Sequence, residues 1–263
     1  MTYTKIKFAI VDKVAVIALS DPATMNAAGV DTATELADAF GRAGAGEDGV
    51  RAVVLTGEGR GFCSGANLGG GRVSGSGGET DAGSSLEKVY NPLIALLRDF
   101  PMPIVTAVNG AAAGVGCSLA LMGDMIIAAE SAYFLQAFRR IGLVPDGGST
   151  YLLPRAIGRA RAMEMTLLGE KISAAKALEW GMINRVVPDD QLLASATALA
   201  ADLANGPKAL GMIRKLMWQS LDTDFTTQLD NERKGQSVAG RTRDFAEGVK
   251  AFLEKRPAVF TGN

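Results

Sequence analysis

The residues Ile141-Gly-Leu-Val-Pro-Asp-Gly-Gly-Ser-Thr150 set one carboxylate, Asp146, between an apolar run and two glycines. A carboxylate so placed can cap the helix that starts near Gly148. It can equally be held in a dry place from which it moves a proton. The local sequence leaves both readings open. The chain contains no histidine, so the side chain that most often carries protons near neutral pH is missing. Serine hydrolase chemistry is excluded on the same ground. Ser64, Ser118 and Ser149 have no histidine to activate them, and no G-x-S-x-G motif is present.

Two glycine-rich segments are the other candidates. Gly59-Arg-Gly-Phe-Cys-Ser-Gly65 follows a strand, but its G-x-G-x-x-x-G spacing is not that of a dinucleotide loop, and no G-K-[ST] closes it as a P-loop. It is either a tight turn or a loop whose glycines turn backbone N–H groups toward an anion. Asn109-Gly-Ala-Ala-Ala-Gly-Val-Gly-Cys-Ser-Leu-Ala-Leu-Met122 reads as a turn running into a helix of small residues. Alone it signifies close helix packing. Paired with the first loop, its helix N-terminus supplies the second half of an oxyanion hole. The remaining polar candidates have plainer readings. Asp124 and Glu130 bracket a strand and should meet water at its ends. Arg139, Arg140, Lys208, Arg214, Lys215, Arg233 and Lys234 read as solvated helix faces, and Trp180 and Trp218 as packing residues.

The elements that must position these groups read as an α/β unit. Ile6–Val11 and Val14–Leu19 form a hairpin joined at Asp12-Lys13. Thr32-Ala-Thr-Glu35 reads as a capping box, with Ala33, Leu36, Ala37 and Phe40 on one helical face behind it. Residues 52–56, 104–108 and 125–129 read as buried strands of a largely parallel sheet. Residues 69–85 are too rich in glycine to pack and read as a mobile loop. Beyond residue 150 the pattern is helical, near 158–168, 173–180, 189–204, 208–219, 224–238 and 241–254, with one short strand at 183–187. No repeat at a solenoid period is visible.

Bulk properties narrow the function. The chain has 263 residues, 48% of them apolar and 21% charged, with 27 Lys+Arg against 28 Asp+Glu. Net charge of -1 gives no pull toward nucleic acid or an anionic membrane. Cys63 and Cys117 form neither a disulfide framework nor a metal-ligand spacing, so no metal is expected. No apolar run approaches a membrane span, and the Met-Thr-Tyr-Thr-Lys-Ile-Lys start lacks the long apolar stretch of a signal peptide. A cytoplasmic location is expected.

Together these pieces resemble the crotonase (enoyl-CoA hydratase/isomerase) superfamily over nearly the whole chain. Arg60–Leu68 is similar to the family's first oxyanion loop, Asn109–Ser118 to its second, Phe138–Arg155 to its active-site wall, and Gly181–Val187 to the strand before its C-terminal helices. The resemblance implies a spiral of ββα units with a helical C-terminal oligomerisation region, divided here as 1–200 and 201–263. It implies a trimer or a dimer of trimers acting on an acyl-CoA thioester, with coenzyme A as part of the substrate and no separate cofactor. The thioester oxygen would lie between the backbone N–H groups of Ala66 and Val115. Ala27, Ser64, Ala66, Asn67 and Leu68 would contact the CoA portion. The family's hydratases use two glutamates, and the matching positions are Ser118 and Phe138. Its double-bond isomerases use one carboxylate, and the matching step is Pro145-Asp146-Gly147. Leu143–Asp146, Gln228–Arg233, Glu247–Arg256 and Phe260-Thr-Gly are similar to the branch holding the enoyl-CoA isomerases and the phenylacetate-pathway isomerase of ring-epoxyphenylacetyl-CoA. An isomerase is therefore expected, with Asp146, Ala66 and Val115 as its catalytic groups. A hydratase with relocated groups and a weakly active acyl-CoA-binding protein are the alternatives. Asn67 stands where the family often has an aspartate, and Ser20-Asp-Pro22 lacks the arginine that often precedes this proline. The CoA phosphates would then fall to basic residues of the C-terminal helices or of a neighbouring subunit. Burial among Val144, Pro145 and Phe138 is expected to raise the Asp146 pKa.

Overall fold

The computed structural model describes residues 2–46, 48–67 and 81–263. The chain opens with the antiparallel hairpin β1 (Ile6–Val11) and β2 (Val14–Leu19). Asp12 and Lys13 between them both take positive φ, 47° and 71°, as the tightest hairpin turn demands. Beside β2 lie, all parallel, β3 (Ala52–Gly57), β5 (Ile104–Val108), β7 (Met125–Ala129) and β10 (Arg185–Val187). Residues 52–56 and all of β5 are buried, which is why they read as apolar runs without alternation.

A second sheet has the order β4 (Gly61–Cys63), β6 (Ala111–Ala113), β8 (Tyr133–Leu135), β9 (Ile172–Ser173). After the hairpin, β3, β5 and β7 of the first sheet are each followed by a short strand of the second and then by a helix. Thus β3 and β4 lead to α2 (Asn91–Arg98), β5 and β6 to α3 (Val115–Leu121), and β7 and β8 to α4 (Ser149–Leu168). Neighbouring units add strands to both sheets at once, which makes the chain a spiral of ββα steps. This structural repeat leaves no sequence period because the connections differ in length.

The helical readings place most of the remaining elements: α1 (Val30–Gly44), α5 (Ala174–Glu179), α6 (Leu192–Ala204), α7 (Ala209–Gln219), α8 (Phe225–Ala239) and α9 (Arg243–Glu254). Along α6 the buried Ala196, Ala200 and Ala204 recur every four residues, and the helix packs on β3, β5 and β7.

Several expectations are corrected. Thr32 and Glu35 do not form a capping box, because α1 starts two residues before Thr32 with Gly29 as its cap. The Glu35 carboxylate instead accepts from the amides of Thr4, Lys5 and Ile6 at 3.0, 2.7 and 3.2 Å and holds the start of β1. Asp124 and Arg214 do not face water. Arg214 is buried, lies 2.7 Å from Asp124, and donates to the carbonyls of Leu97 and Arg98 at the end of α2 and of Phe100 just beyond it. Burial raises the Asp124 pKa, with Arg214 opposing. Arg139 and Arg140 donate to the carbonyls of Leu167, Leu168 and Gly169, which close α4. The glycine-rich 69–85 reading lies in part outside the described residues, and its end is helical: Ser84 and Ser85 lead into a π-turn at Leu86–Tyr90. Residues 111–113, read as part of the small-residue helix, are strand β6.

Candidate active site

The site starts at the turn after β2. Met25 and Asn26 both take left-handed φ, 54° and 58°. The buried Asn26 amide holds that turn, accepting from Asp21 N at 2.8 Å and donating to Glu58 O and Gly61 O at 2.9 and 2.7 Å. The segment through Ala28 then runs beside the end of β4. Ser64 N donates to Met25 O (3.0 Å), Ser64 Oγ to Thr24 O (2.8 Å), and Ala28 N to Gly65 O (2.8 Å), with Ala28 and Ala66 in parallel register. Ala27, Ser64, Ala66 and Asn67 are thereby gathered on one rim, with Ala66 and Asn67 exposed. Leu68 lies outside the described residues.

The second glycine segment meets this rim. Gly114 precedes α3 with φ 54° and ψ -128°, a conformation a side chain opposes, and its amide donates to Leu135 O at 2.8 Å. Gly65, at φ 110°, is the matching special residue of the first loop. A Cβ on Gly65 would stand 3.2 Å from Ala113 O, so the loops approach as closely as glycine permits. Val115 is the first residue of α3, where amides have no acceptor within the helix. Among the described residues, no turn, loop or cap hydrogen bond starts at the amide of Ala66 or of Val115. The two loops paired in the sequence analysis thus lie side by side.

Asp146 lies across from α3. The helix it was a candidate to cap begins behind Gly148, at φ 79°, without any side-chain capping bond. The capping reading therefore fails. Asp146 Oδ1 is buried without a hydrogen-bond partner among the described residues. Burial alone pushes this carboxyl up to about 6. The buried surroundings differ from expectation in one respect, since Val144 is 80% exposed, whereas Phe138 is buried. Phe138 Cζ lies 3.9 Å from the place of a Cβ on Gly114, so its ring faces the second loop.

Ser118, one turn along α3 from Val115, is fully buried, and its Oγ donates to the Asp146 carbonyl at 2.8 Å. Tyr90 is a residue that sequence reading missed. It ends the π-turn before α2, its hydroxyl donates to Ala28 O at 2.7 Å, and its pKa is pushed up to about 12 by burial and by the nearby Asp146 charge. No local signal marks it, because the contact joins residues 62 apart. Cys63 and Cys117 are buried and free, with burial pushing their thiols up to about 11 and 12, so neither is a thiolate nucleophile at neutral pH. Beyond Gly148 lies a cavity of about 300 Å³, whose apolar walls include Ile94, Ala95, Met122, Leu152 and Trp218.

Two glycine loops in close contact, beside a carboxyl raised by burial, suit a reaction that builds negative charge on a carbonyl oxygen. The family model for enoyl-CoA hydratase/isomerase matches residues 9–263. The chain belongs to the enoyl-CoA hydratase/isomerase family. It is 50% identical over 217 residues to the 1,2-epoxyphenylacetyl-CoA isomerase of Escherichia coli (strain K12), covering 82% of this chain and 83% of that one. It is 47% identical over 263 residues, the full length of both, to a Rhodobacter capsulatus protein named "Probable enoyl-CoA hydratase". The crystal structure of an enoyl-CoA hydratase from Bacillus anthracis superposes with a TM-score of 0.92 at 30% identity, covering 99% of this chain and 100% of that chain. The spiral of ββα steps is thus the enoyl-CoA hydratase/isomerase fold, and family membership implies a CoA thioester substrate. Relatives with isomerase and hydratase names lie at similar distance, so names alone do not choose the reaction.

Proposed function

We propose that the protein is an acyl-CoA isomerase that moves a double bond from the 3 to the 2 position. The ionised Asp146 carboxylate takes a proton from the carbon beside the thioester of a 3-enoyl-CoA. The C–H electron pair forms a C1=C2 double bond and the carbonyl π pair moves onto the thioester oxygen, where the amides of Ala66 and Val115 meet the charge, with the 3,4 double bond conjugated to the enolate. The dienolate then takes the same proton back from Asp146 two carbons along, which regenerates the carboxylate and leaves the 2-enoyl-CoA. One carboxyl suffices when both carbons lie on one face of the bound chain. Losing one such amide donor would cost about 3–4 kcal/mol of barrier.

The observation that carries this reading is the buried Oδ1 of Asp146, unpartnered among the described residues and with a pKa of about 6, on a segment tied to α3 through Ser118. A base tuned toward neutrality combines a large ionised fraction with proton affinity. The two-glutamate hydratase route has no support at the matching positions. Ser118 is engaged with the Asp146 backbone, and Phe138 presents a ring. The cavity beside Gly148 offers apolar room for an acyl chain. The 50% identical relative named as an epoxyphenylacetyl-CoA isomerase favours ring-epoxyphenylacetyl-CoA as a second substrate class for the same site. Ala27, Ser64 and Asn67 would line the CoA side of the rim, and no separate cofactor is needed.

The same proposal includes self-assembly through the C-terminal helices. Phe225, Phe252, Leu253 and Val259 are 78%, 82%, 74% and 71% exposed, an apolar surface that fits burial between copies. A trimer or a dimer of trimers in sedimentation agrees with this, and a monomer contradicts it. The reaction itself is tested by giving the purified protein 3-hexenoyl-CoA and crotonyl-CoA. Rapid conversion of the first with slow hydration of the second is expected. Rapid hydration of crotonyl-CoA with no isomerisation would make the protein a hydratase.

A further inference from the structure

The Asp146 carboxyl is not held by its own hydrogen bonds. Its Oδ1 is buried and unpartnered among the described residues, and burial is the sole influence on its pKa. Its position must therefore come from its backbone. That backbone is followed by two residues of left-handed conformation, Gly147 (φ 59°) and Gly148 (φ 79°), and glycine resists reorientation least of all residues. The Asp146 peptide is nevertheless fixed, because its carbonyl accepts three hydrogen bonds: from Ser149 N (3.2 Å), Ser149 Oγ (2.9 Å) and Ser118 Oγ (2.8 Å). The two bonds from Ser149 are local and move with the start of α4. Among the described residues, only Ser118 reaches across from another element.

That element is α3, which also begins with Val115. The contact is close and shaped for a small residue. A Cβ on Gly147 would fall 2.6 Å from Ser118 Cβ and 3.0 Å from Ser118 Oγ. The Ser118 side chain thus packs directly against the bare backbone of Gly147.

We infer that Ser118 is a positioning residue, whose hydroxyl ties the peptide of Asp146 to the helix that carries the Val115 amide and so sets base and oxyanion donor at one distance. This deepens the isomerase reading above and rests on it. A serine at a fully buried position is then more than a small packing residue. It gives α3 two tasks: its first amide faces the developing charge, and its fourth residue holds the base.

The test is Ser118→Ala in the full-length enzyme, alone and combined with Asp146→Asn, assayed on 3-hexenoyl-CoA across pH 4.5–8. The titratable group coupled to Asp146 is Tyr90, which stays protonated throughout that range. Ser118→Ala removes one oxygen and leaves the Gly147 contact open, so folding should survive; circular dichroism and melting verify it. Expected is a kcat loss of roughly 10- to 100-fold, the scale set by small displacements of a catalytic group, with KM changed by less than about 3-fold. The acid limb of kcat/KM should move below its wild-type position as the carboxyl relaxes toward water. In the Asp146→Asn background the same substitution should cost little more, because its route of action is gone.

Two outcomes overturn the inference. One is unchanged kcat with an unmoved acid limb. The other is a loss that is the same in both backgrounds and leaves the acid limb in place, which marks simple structural damage. The parent isomerase reading fails by a different sign, namely near-wild-type turnover by Asp146→Asn alone.

Discussion

Gly65 and Gly114 stand back to back: the Cα of Gly65 lies 3.7 Å from the place a Cβ on Gly114 would occupy. The contact joins two loops about fifty residues apart, each after a short strand of the second sheet. It brings the next residues in each loop, Ala66 and Val115, near one another, as the proposed oxyanion pair requires.

Gly114→Ala is predicted to damage both stability and catalysis. At φ 54° and ψ -128° an L side chain is strained, at about 1–3 kcal/mol. The relaxing backbone would also turn the Val115 amide. Urea denaturation should report the lost stability, and steady-state kinetics a kcat reduced by roughly 100-fold.

Asp146 should set the pH dependence of the reaction. With its carboxyl near 6, kcat/KM should level off above pH 7 and fall below pH 6 as the base takes up its proton. The stability effect has the opposite sense from that of a salt-bridged acid. The folded-state pKa is raised above the usual aspartate value of 3.8, so ionised Asp146 costs stability. That cost is absent below pH 4, grows between pH 4 and 6, and is complete above 6. Asp146→Asn should therefore stabilise the fold at pH 7.5 by about 1–2 kcal/mol, after discounting for partial solvent exposure. The gain should vanish at pH 4. Melting curves of the two proteins at both pH values check this.

The first sheet is legible in the sequence because its strands are apolar runs and its hairpin turn is a sharp punctuation. The second sheet is not. Strands β4, β6 and β8 have three residues each, too few to show a period, and their partners are supplied only when the spiral closes. The site divides in the same way. Asp146 and the two glycine loops can be found because glycine and a lone acid are unusual where they stand. Tyr90 cannot, because its meaning lies in a contact with Ala28. Glu35 misleads, since a carboxylate three residues after Thr32 fits a capping box while its real partners are the amides at the start of β1. Arg214 misleads as a cation on a helix. Its partners, Asp124 and the end of α2, come from distant parts of the chain.

Arg214 is accordingly predicted to be a stability residue without part in the chemistry. Arg214→Leu leaves the Asp124 charge buried and three carbonyls short of a donor. The expected loss is about 3–5 kcal/mol. Chemical denaturation should show it, while the protein that remains folded keeps its kcat.

The central claim is that one carboxyl moves the proton, and Asp146→Asn tests it most directly. Asparagine keeps the shape and the burial of the side chain but cannot accept a proton from carbon. Turnover of 3-hexenoyl-CoA by the folded variant should fall by at least about 100-fold, at the low end of what a lost general base costs, with substrate still bound. Near-wild-type turnover by Asp146→Asn would contradict the mechanism.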